Sequence, residues 1–443
     1  MNNKIKGETK IKIKQYSSLI LLSIINGIFI GLFQVTIKYI FEAINKIYES
    51  SIETVIPLLI YSGLCIFFIF CFYIIIWFII PWFKKGTNVL SRYLLNEKVK
   101  FYEYPILIVG FALSLFAGLP VGAVEVCEAV GLGLSSEFYK RTEIKVKDSK
   151  DIIIAASFGA AFLSPLAGFS YGLESRKWKV NFCYIIKLTL TIAITIGVCY
   201  LTLKLFNLEN NFTPRLDSIE TFSWKSLLIY GLMGVIIAVA AFILNLSTIK
   251  IKKSIEEGKK PQNIKTILTV IVLITALVCT FIGLKYQWYA FSLAGYDGSR
   301  IIMNYDKFGS GGLLIGTVLL WIFYLLLLPH TKLFGGKIVP VLTVGGLIGL
   351  CCVWNGKINN MLQPDEFLMM ISVGMFALYG VVYKKPITAI CLALTFSRWS
   401  VIPYQFLPLI LAIAPGYILV VITKLPSWNE CIGIPDSLDD FND

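Results

Sequence analysis

Long apolar runs, not alternation or one-sided helical stripes, organise this chain. They fall near 18–44, 55–83, 104–121, 152–173, 181–206, 226–248, 266–285, 309–329, 338–354, 367–383, 386–396 and 404–423. Most reach the roughly 18 residues at which an apolar helix crosses a hydrocarbon core about 30 Å thick. In such a core every backbone N–H and C=O must be paired within the protein, and a helix does this locally. The pattern therefore predicts an all-α polytopic membrane protein with almost no soluble domain. A segment 1–17 precedes the transmembrane domain, 18–430, and a tail, 431–443, follows it.

Composition sharpens this picture. Only 15% of the 443 residues are charged and 57% are hydrophobic, where a soluble domain carries about 25% charged residues. A soluble enzyme of several domains is excluded. The net charge of +13 collects between the apolar runs. Lys140, Arg141, Lys145, Lys147 and Lys150 form one basic loop; Arg176, Lys177 and Lys179 form a second; Lys250, Lys252, Lys253, Lys259 and Lys260 form a third. Segment 207–222 carries Glu209, Asp217 and Glu220 against Arg215 alone. Basic loops stay in the cytoplasm, so the expectation is a multi-pass cell-membrane protein with its N-terminus and these loops inside and 207–222 outside. The charge is a topology signal, and no nucleic-acid partner is expected. The start, Met1 to Gln15, is basic, but the run behind it is too long for a signal peptide and lacks a cleavage site.

Most cysteines, among them Cys65, Cys71, Cys183, Cys199, Cys279, Cys351, Cys352 and Cys391, lie inside apolar runs and read as small core residues rather than a disulfide framework. With His330 as the single histidine, a zinc H-E-x-x-H site and a Ser-His-Asp triad are excluded. No nucleotide loop is present. The acidic group Asp436, Asp439, Asp440 and Asp443 ends the chain, where a solvated tail is expected. No cofactor or metal is implied.

The chain repeats itself. GAAFLSPLAGFSYGLESRKW, Gly159–Trp178, aligns without a gap on GVVYKKPITAICLALTFSRW, Gly380–Trp399, at an offset of 380 − 159 = 221. GAVEVCEAVGLGL, Gly122–Leu134, aligns on GKIVPVLTVGGLI, Gly336–Ile348, at 336 − 122 = 214. The order is the same, which gives two halves, 18–215 and 216–430. Glycines interrupt both halves at matching places, between Leu115 and Gly122 and between Leu333 and Gly336. Such interruptions point to helices broken at the membrane midplane. A helix N-terminus buried there offers unpaired N–H groups and about half a positive charge, a site for an anion.

These residues resemble the CLC family of chloride channels and proton-coupled anion exchangers. FLSPLAGFSYGLE, Phe162–Glu174, is similar to the family segment in which A-P-L-A-G leads to a glutamate. GGKIVP, Gly335–Pro340, resembles the motif G-x-F-x-P; GAVEV, Gly122–Val126, stands where the family has G-[KR]-E-G-P; and PYQFLPLI, Pro403–Ile410, resembles the opening of its penultimate helix. The resemblance implies inverted repeats of tilted and broken helices, a homodimer in the lipid bilayer, one anion pore per subunit and chloride as the default ion. It places anion-binding groups at Thr87 in GTNVL, at Val124, at Lys337 and Ile338, and at Trp428 in LPSW. No regulatory domain is expected after Trp428.

The departures concern coupling. Counting from Gly122 puts Val124 at the family's gate glutamate, with Glu125 one residue late and Glu128 a helical turn further on. Glu174 matches the first glutamate of the inner segment, and Ser175 takes the position of the inner proton glutamate. Glu128 and Glu174 are thus the candidates for a proton path, and Val124 and Glu125 for the gate. Either the gate is lost at Val124, or Glu125 has taken it over in a shifted register. The leading expectation is passive anion conduction through a degenerate gate. The alternative is an anion/proton antiporter, for chloride or fluoride, using Glu125. From another class, a membrane-embedded enzyme or sensor is retained.

Overall fold

The computed structural model describes residues 2–50, 63–64, 67, 71, 103–116, 119, 121–142, 148–208, 225–258, 261–285, 311–331, 333, 335–358, 366–397 and 401–431. Thr87, the tail after Cys431 and most of the predicted run 55–83 lie outside them. The helices are α1 (Asn2–Ser50), α2 (Glu103–Phe116), α3 (Val124–Thr142), α4 (Ser149–Ala161), α5 (Pro165–Ser175), α6 (Phe182–Leu205), α7 (Ser226–Glu256), α8 (Pro261–Lys285), α9 (Gly311–Leu327), α10 (Ile338–Ile358), α11 (Glu366–Val382), α12 (Pro386–Thr395), α13 (Ile402–Ile422) and the short α14 (Trp428–Cys431). Among the described residues, four stretches are long and apolar enough to span a bilayer: Ile13–Ile40, Phe182–Leu205, Ser226–Glu256 and Ile402–Ile422. Their outward residues are apolar, with Leu201, Leu228, Leu232 and Ile422 largely exposed, as suits a surface facing lipid. The fold is an all-α polytopic membrane architecture.

One predicted span is split. The run 152–173 becomes α4 and α5, with a turn at Phe162–Ser164 between them. Proline cannot donate an N–H and clashes with the preceding turn of a helix, so Pro165 opens α5 instead of continuing α4. Leu163 takes a left-handed φ of 50°. Its N–H bonds Ala160 O at 3.2 Å, and Ser164 N–H bonds Gly159 O at 2.8 Å. The Ser164 hydroxyl then accepts Ala167 N–H at 3.2 Å.

The same break returns 221 residues later. Lys384 has φ 55°, its N–H bonds Val381 O at 3.3 Å, Lys385 N–H bonds Gly380 O at 2.9 Å, and Pro386 opens α12. The backbone thus repeats where the sequence repeats. At 10 and 11 residues, α12 and α5 are about 15–17 Å long and cannot span the core. They lie antiparallel: Ser164 at the start of α5 bonds Thr395 at the end of α12, Oγ to Oγ1, at 2.6 Å. Glu174 at the end of α5 meets the start of α12.

Small residues let the elements close up. A Cβ added to Gly345 of α10 would collide with Gly374 O of α11, and one added to Gly374 would collide with Gly345 O. This is the close backbone approach that small residues permit between membrane helices. At the basic turn after α5, Arg176 joins Asp148 at 2.7 Å and, through Nε, Asp151 at 2.6 Å. Its guanidinium lies 4.4 Å from the Tyr184 ring centre. This pins the end of α5 to the start of α4.

Candidate anion site

Helices α3 and α10 each begin inside the protein and point their N-termini at one another. Gly122 and Gly336, 214 residues apart, form an isolated antiparallel bridge with N–H···O distances of 2.7 Å in both directions. Glycine is needed on both sides. A Cβ on Gly336 would lie 2.9 Å from Gly122 O and 3.0 Å from Glu125 Cβ, and one on Gly122 would lie 3.0 Å from Val339. Gly335 leads into the bridge with φ +137°, a conformation L side chains rarely adopt. The N–H groups of the first turn of each helix have no intrahelical acceptor, so two partial positive charges converge on one spot.

Val124, Glu125, Lys337 and Ile338 are all buried there. Glu125 and Lys337 are 8% and 7% exposed, so both charges are withdrawn from solvent. The Glu125 carboxylate faces the backbone N–H and the ammonium of Lys337. Its Oε2 has no hydrogen-bond partner among the described residues. A carboxylate of the protein itself therefore stands at a junction of helix ends that suits an anion. Glu128, one turn on, lies near the Tyr171 hydroxyl and the charges of Glu125 and Lys385, and its buried Oε1 finds no partner among the described residues. Tyr379 and Tyr383 of α11 also face these glutamates, with buried hydroxyls that find no partner among the described residues.

The other sequence candidates are placed differently. Glu174 acts as a cap for α12, taking Ile387 N–H at 2.9 Å, Thr388 N–H at 2.9 Å and the Thr388 hydroxyl at 2.6 Å. Trp428 opens α14 against α7. It is fully buried, and its indole N–H has no partner among the described residues. His330, in the turn after α9, is buried near the cations Lys337, Lys265 and Lys252.

Lys385 and the tyrosines Tyr171, Tyr379 and Tyr383 were missed by sequence reasoning. Lys385 sits 3.2 Å above the Tyr171 ring centre and donates to Ser175 Oγ at 2.7 Å. The available signal was a pair of lysines within the apolar stretch GVVYKKPITAI. No spacing rule pairs Lys385 with Tyr171, which is 214 positions earlier.

Broken helices meeting head to head around a buried acid define the class: a membrane transport protein whose site is made from helix ends. The chain belongs to the voltage-gated chloride channel family, or CLC family, whose model matches residues 72–420. Among curated protein sequences none matches closely enough to count. Solved structures with this fold include a slow cyanobacterial Cl⁻/H⁺ antiporter, TM-score 0.65 at 16% identity, covering 93% of this chain and 98% of that one. A CLC-type fluoride/proton antiporter gives 0.61 at 16% identity, with 91% and 96% covered. A eukaryotic CLC transporter gives 0.62 at 16% identity, with 92% and 74% covered.

Proposed function

We propose that the protein moves chloride or another small anion across the cell membrane through the junction of Gly122 and Gly336, with Glu125 as its gate. The carrying observation is the Glu125 carboxylate facing the Lys337 backbone N–H, in the place an anion would take. It favours the shifted-register reading over a gate lost at Val124. The similarity in fold to a Cl⁻/H⁺ and a fluoride/proton antiporter agrees with this. Passive conduction keeps one observation in its favour, the apolar Val124 at the family's gate position, buried beside the bridge. The protein works as a transporter without chemical catalysis, as a homodimer with its N-terminus in the cytoplasm.

The mechanism is competition for one place. An ionised Glu125 holds the helix ends and excludes the anion; protonation removes its charge, and the side chain yields to the anion. Anion flux should therefore rise as pH falls. Glu125→Gln imitates the protonated acid and should leak anion at a high rate that no longer follows pH. Flux from reconstituted vesicles, read with an ion-selective electrode between pH 5 and pH 8 or so, checks this. A wild-type pH profile in Glu125→Gln would return the gate to the lost state and leave passive conduction.

A further inference from the structure

We propose that the turn between α5 and α6 is a binding surface for anionic phospholipid headgroups, with Trp178 and Phe182 at the edge of the hydrocarbon and Lys177 and Lys179 on the lipid phosphates. The level of this turn in the bilayer is set by two spanning stretches. Phe182 opens α6, which is a spanning stretch from its first residue. The spanning stretch of α1 begins at Ile13, and close after it the Tyr16 hydroxyl meets the Cys183 thiol at 3.7 Å. Both stretches therefore begin at one depth, and Lys177–Lys179 lie just outside it, where headgroups stand. Trp178 is 52% exposed and Phe182 77%, and Lys177 and Lys179 are exposed beside them. The surface runs on into the exposed Ile186 of α6.

The backbone holds this surface outward under strain. Helix α5 ends in two return bonds: Trp178 N–H reaches Leu173 O at 3.0 Å, and Lys177 N–H reaches Glu174 O at 3.0 Å. A helix that ends this way places a left-handed residue, usually glycine, after its cap, and commonly folds the next residue back onto the helix. Here Lys177 has φ 49° and Trp178 φ 64°. Two consecutive L residues thus take a conformation that only glycine adopts freely, and half of the Trp178 surface stays outside. Lys179 N–H closes the turn on Arg176 O at 2.9 Å. Strained backbone persists where its surroundings fix it, and it gathers at binding sites. The bonds of Arg176 to Asp148 and Asp151 supply the fixed base.

The chemistry selects a lipid over a soluble anion. Tryptophan gathers at membrane–water interfaces because its ring is apolar and its N–H polar, and lysines beside it are drawn to a surface of anionic lipid. The acids nearest the turn are already used: Asp148 and Asp151 hold Arg176, and Glu174 holds Ile387 and Thr388. A soluble anion would need donors converging from several sides. Lys177 and Lys179 instead stand exposed on a single turn, a form that suits an extended layer of phosphates. Since Glu174 in the last turn of α5 caps α12, a lipid held here sets the depth of both short helices.

The test uses the full-length protein in vesicles of mixed phosphatidylglycerol and phosphatidylcholine, with bromine carried on one lipid or the other. Bromine quenches tryptophan emission on contact, and the Trp178 share is the part that Trp178→Phe removes. That share should be quenched more by brominated phosphatidylglycerol than by brominated phosphatidylcholine at equal content, and salt should erode the difference. Lys177→Gln with Lys179→Gln should lower the preference for phosphatidylglycerol by about tenfold, to near parity. Lys177→Gly suits the left-handed backbone, so it should fold like the wild type and lose part of the preference. An unchanged preference in the double variant would overturn the proposal. So would inorganic phosphate that displaces phosphatidylglycerol, since the turn would then hold a soluble oxyanion. Trp178 emission that neither lipid quenches would overturn it as well, because protein and not lipid would then cover the turn.

Discussion

At the scale of single residues, charge burial is the governing cost. Arg176 illustrates it outside the spanning segments. Burial alone would lower its basicity, but Asp151 and Asp148 outweigh this and hold the guanidinium above its ordinary value. A group whose folded pKa is raised gives stability that is complete below the unfolded value, which for arginine lies far above neutral pH, and is lost only as pH climbs through the folded one. Arg176→Met takes the guanidinium from beside two buried acids and should cost about 3–5 kcal/mol, as breaking a buried ion pair usually does. The loss should be the same at about pH 7 and pH 9, both far below that window. Thermal unfolding in detergent reads both numbers; a loss that shrinks markedly at the higher pH would contradict it. The same cost of buried charge makes the Glu125–Lys337 pair informative, since each group faces the other at less than a tenth of its full exposure.

At the scale of elements, the breaks in the helices matter more than the helices. The α4–α5 and α11–α12 turns are built alike, each with a left-handed residue, a proline opening the next helix and a return bond to a glycine carbonyl. They stop four segments short of full spans. At α3 and α10 the bridge of Gly122 and Gly336 brings two helix ends together. Gly336→Ala is expected to push them apart, because the new Cβ would meet backbone at 2.9 Å. The protein should still assemble, since the bridge is one local contact beside the extensive packing of α10 on α11. Anion flux should drop by roughly tenfold or more, as misplacing a site by a fraction of an ångström costs rate more than stability. Vesicle flux compared with gel-filtration profile separates the two; unchanged flux would mean the helix ends do not form the site.

At the scale of the whole molecule, the two short helices α5 and α12 expose Leu166 and Ile387, and the adjacent α13 exposes Phe406, Leu407 and Ile410. Helices of 10 and 11 residues end within the bilayer depth, and covering such ends with protein spares polar backbone from lipid. Association through this face is the expected homodimer. Light scattering on the detergent-solubilised protein should give a protein mass of twice 49.7 kDa, and Leu166→Lys with Ile387→Lys should shift it to a single chain. A monomeric wild type would exclude this face as an obligate interface.

The membrane class, most spans and the breaks ahead of Gly122 and Gly336 were legible in the sequence because their causes are local. A run of apolar residues suffices for a span, and a glycine or proline inside one suffices for an interruption. The offsets of 214 and 221 also predicted matching elements, and the turns at Leu163 and Lys384 match at the second offset. The run 152–173 was read as one span because the apolar pattern continues through Phe162 and Leu163 and does not register a left-handed residue. The site was legible only in part. Glu125 and Glu128 stood out as acids near a helix start, and Lys337 as a lysine beside a glycine pair. What faces them was not legible. Only folding sets Gly122 against Gly336, Lys337 against Glu125, and Lys385 over Tyr171 with its amine on Ser175. Those pairs join residues about half the chain apart, and the partner of a buried charge is chosen by the packing of helices, which no local pattern of residues encodes.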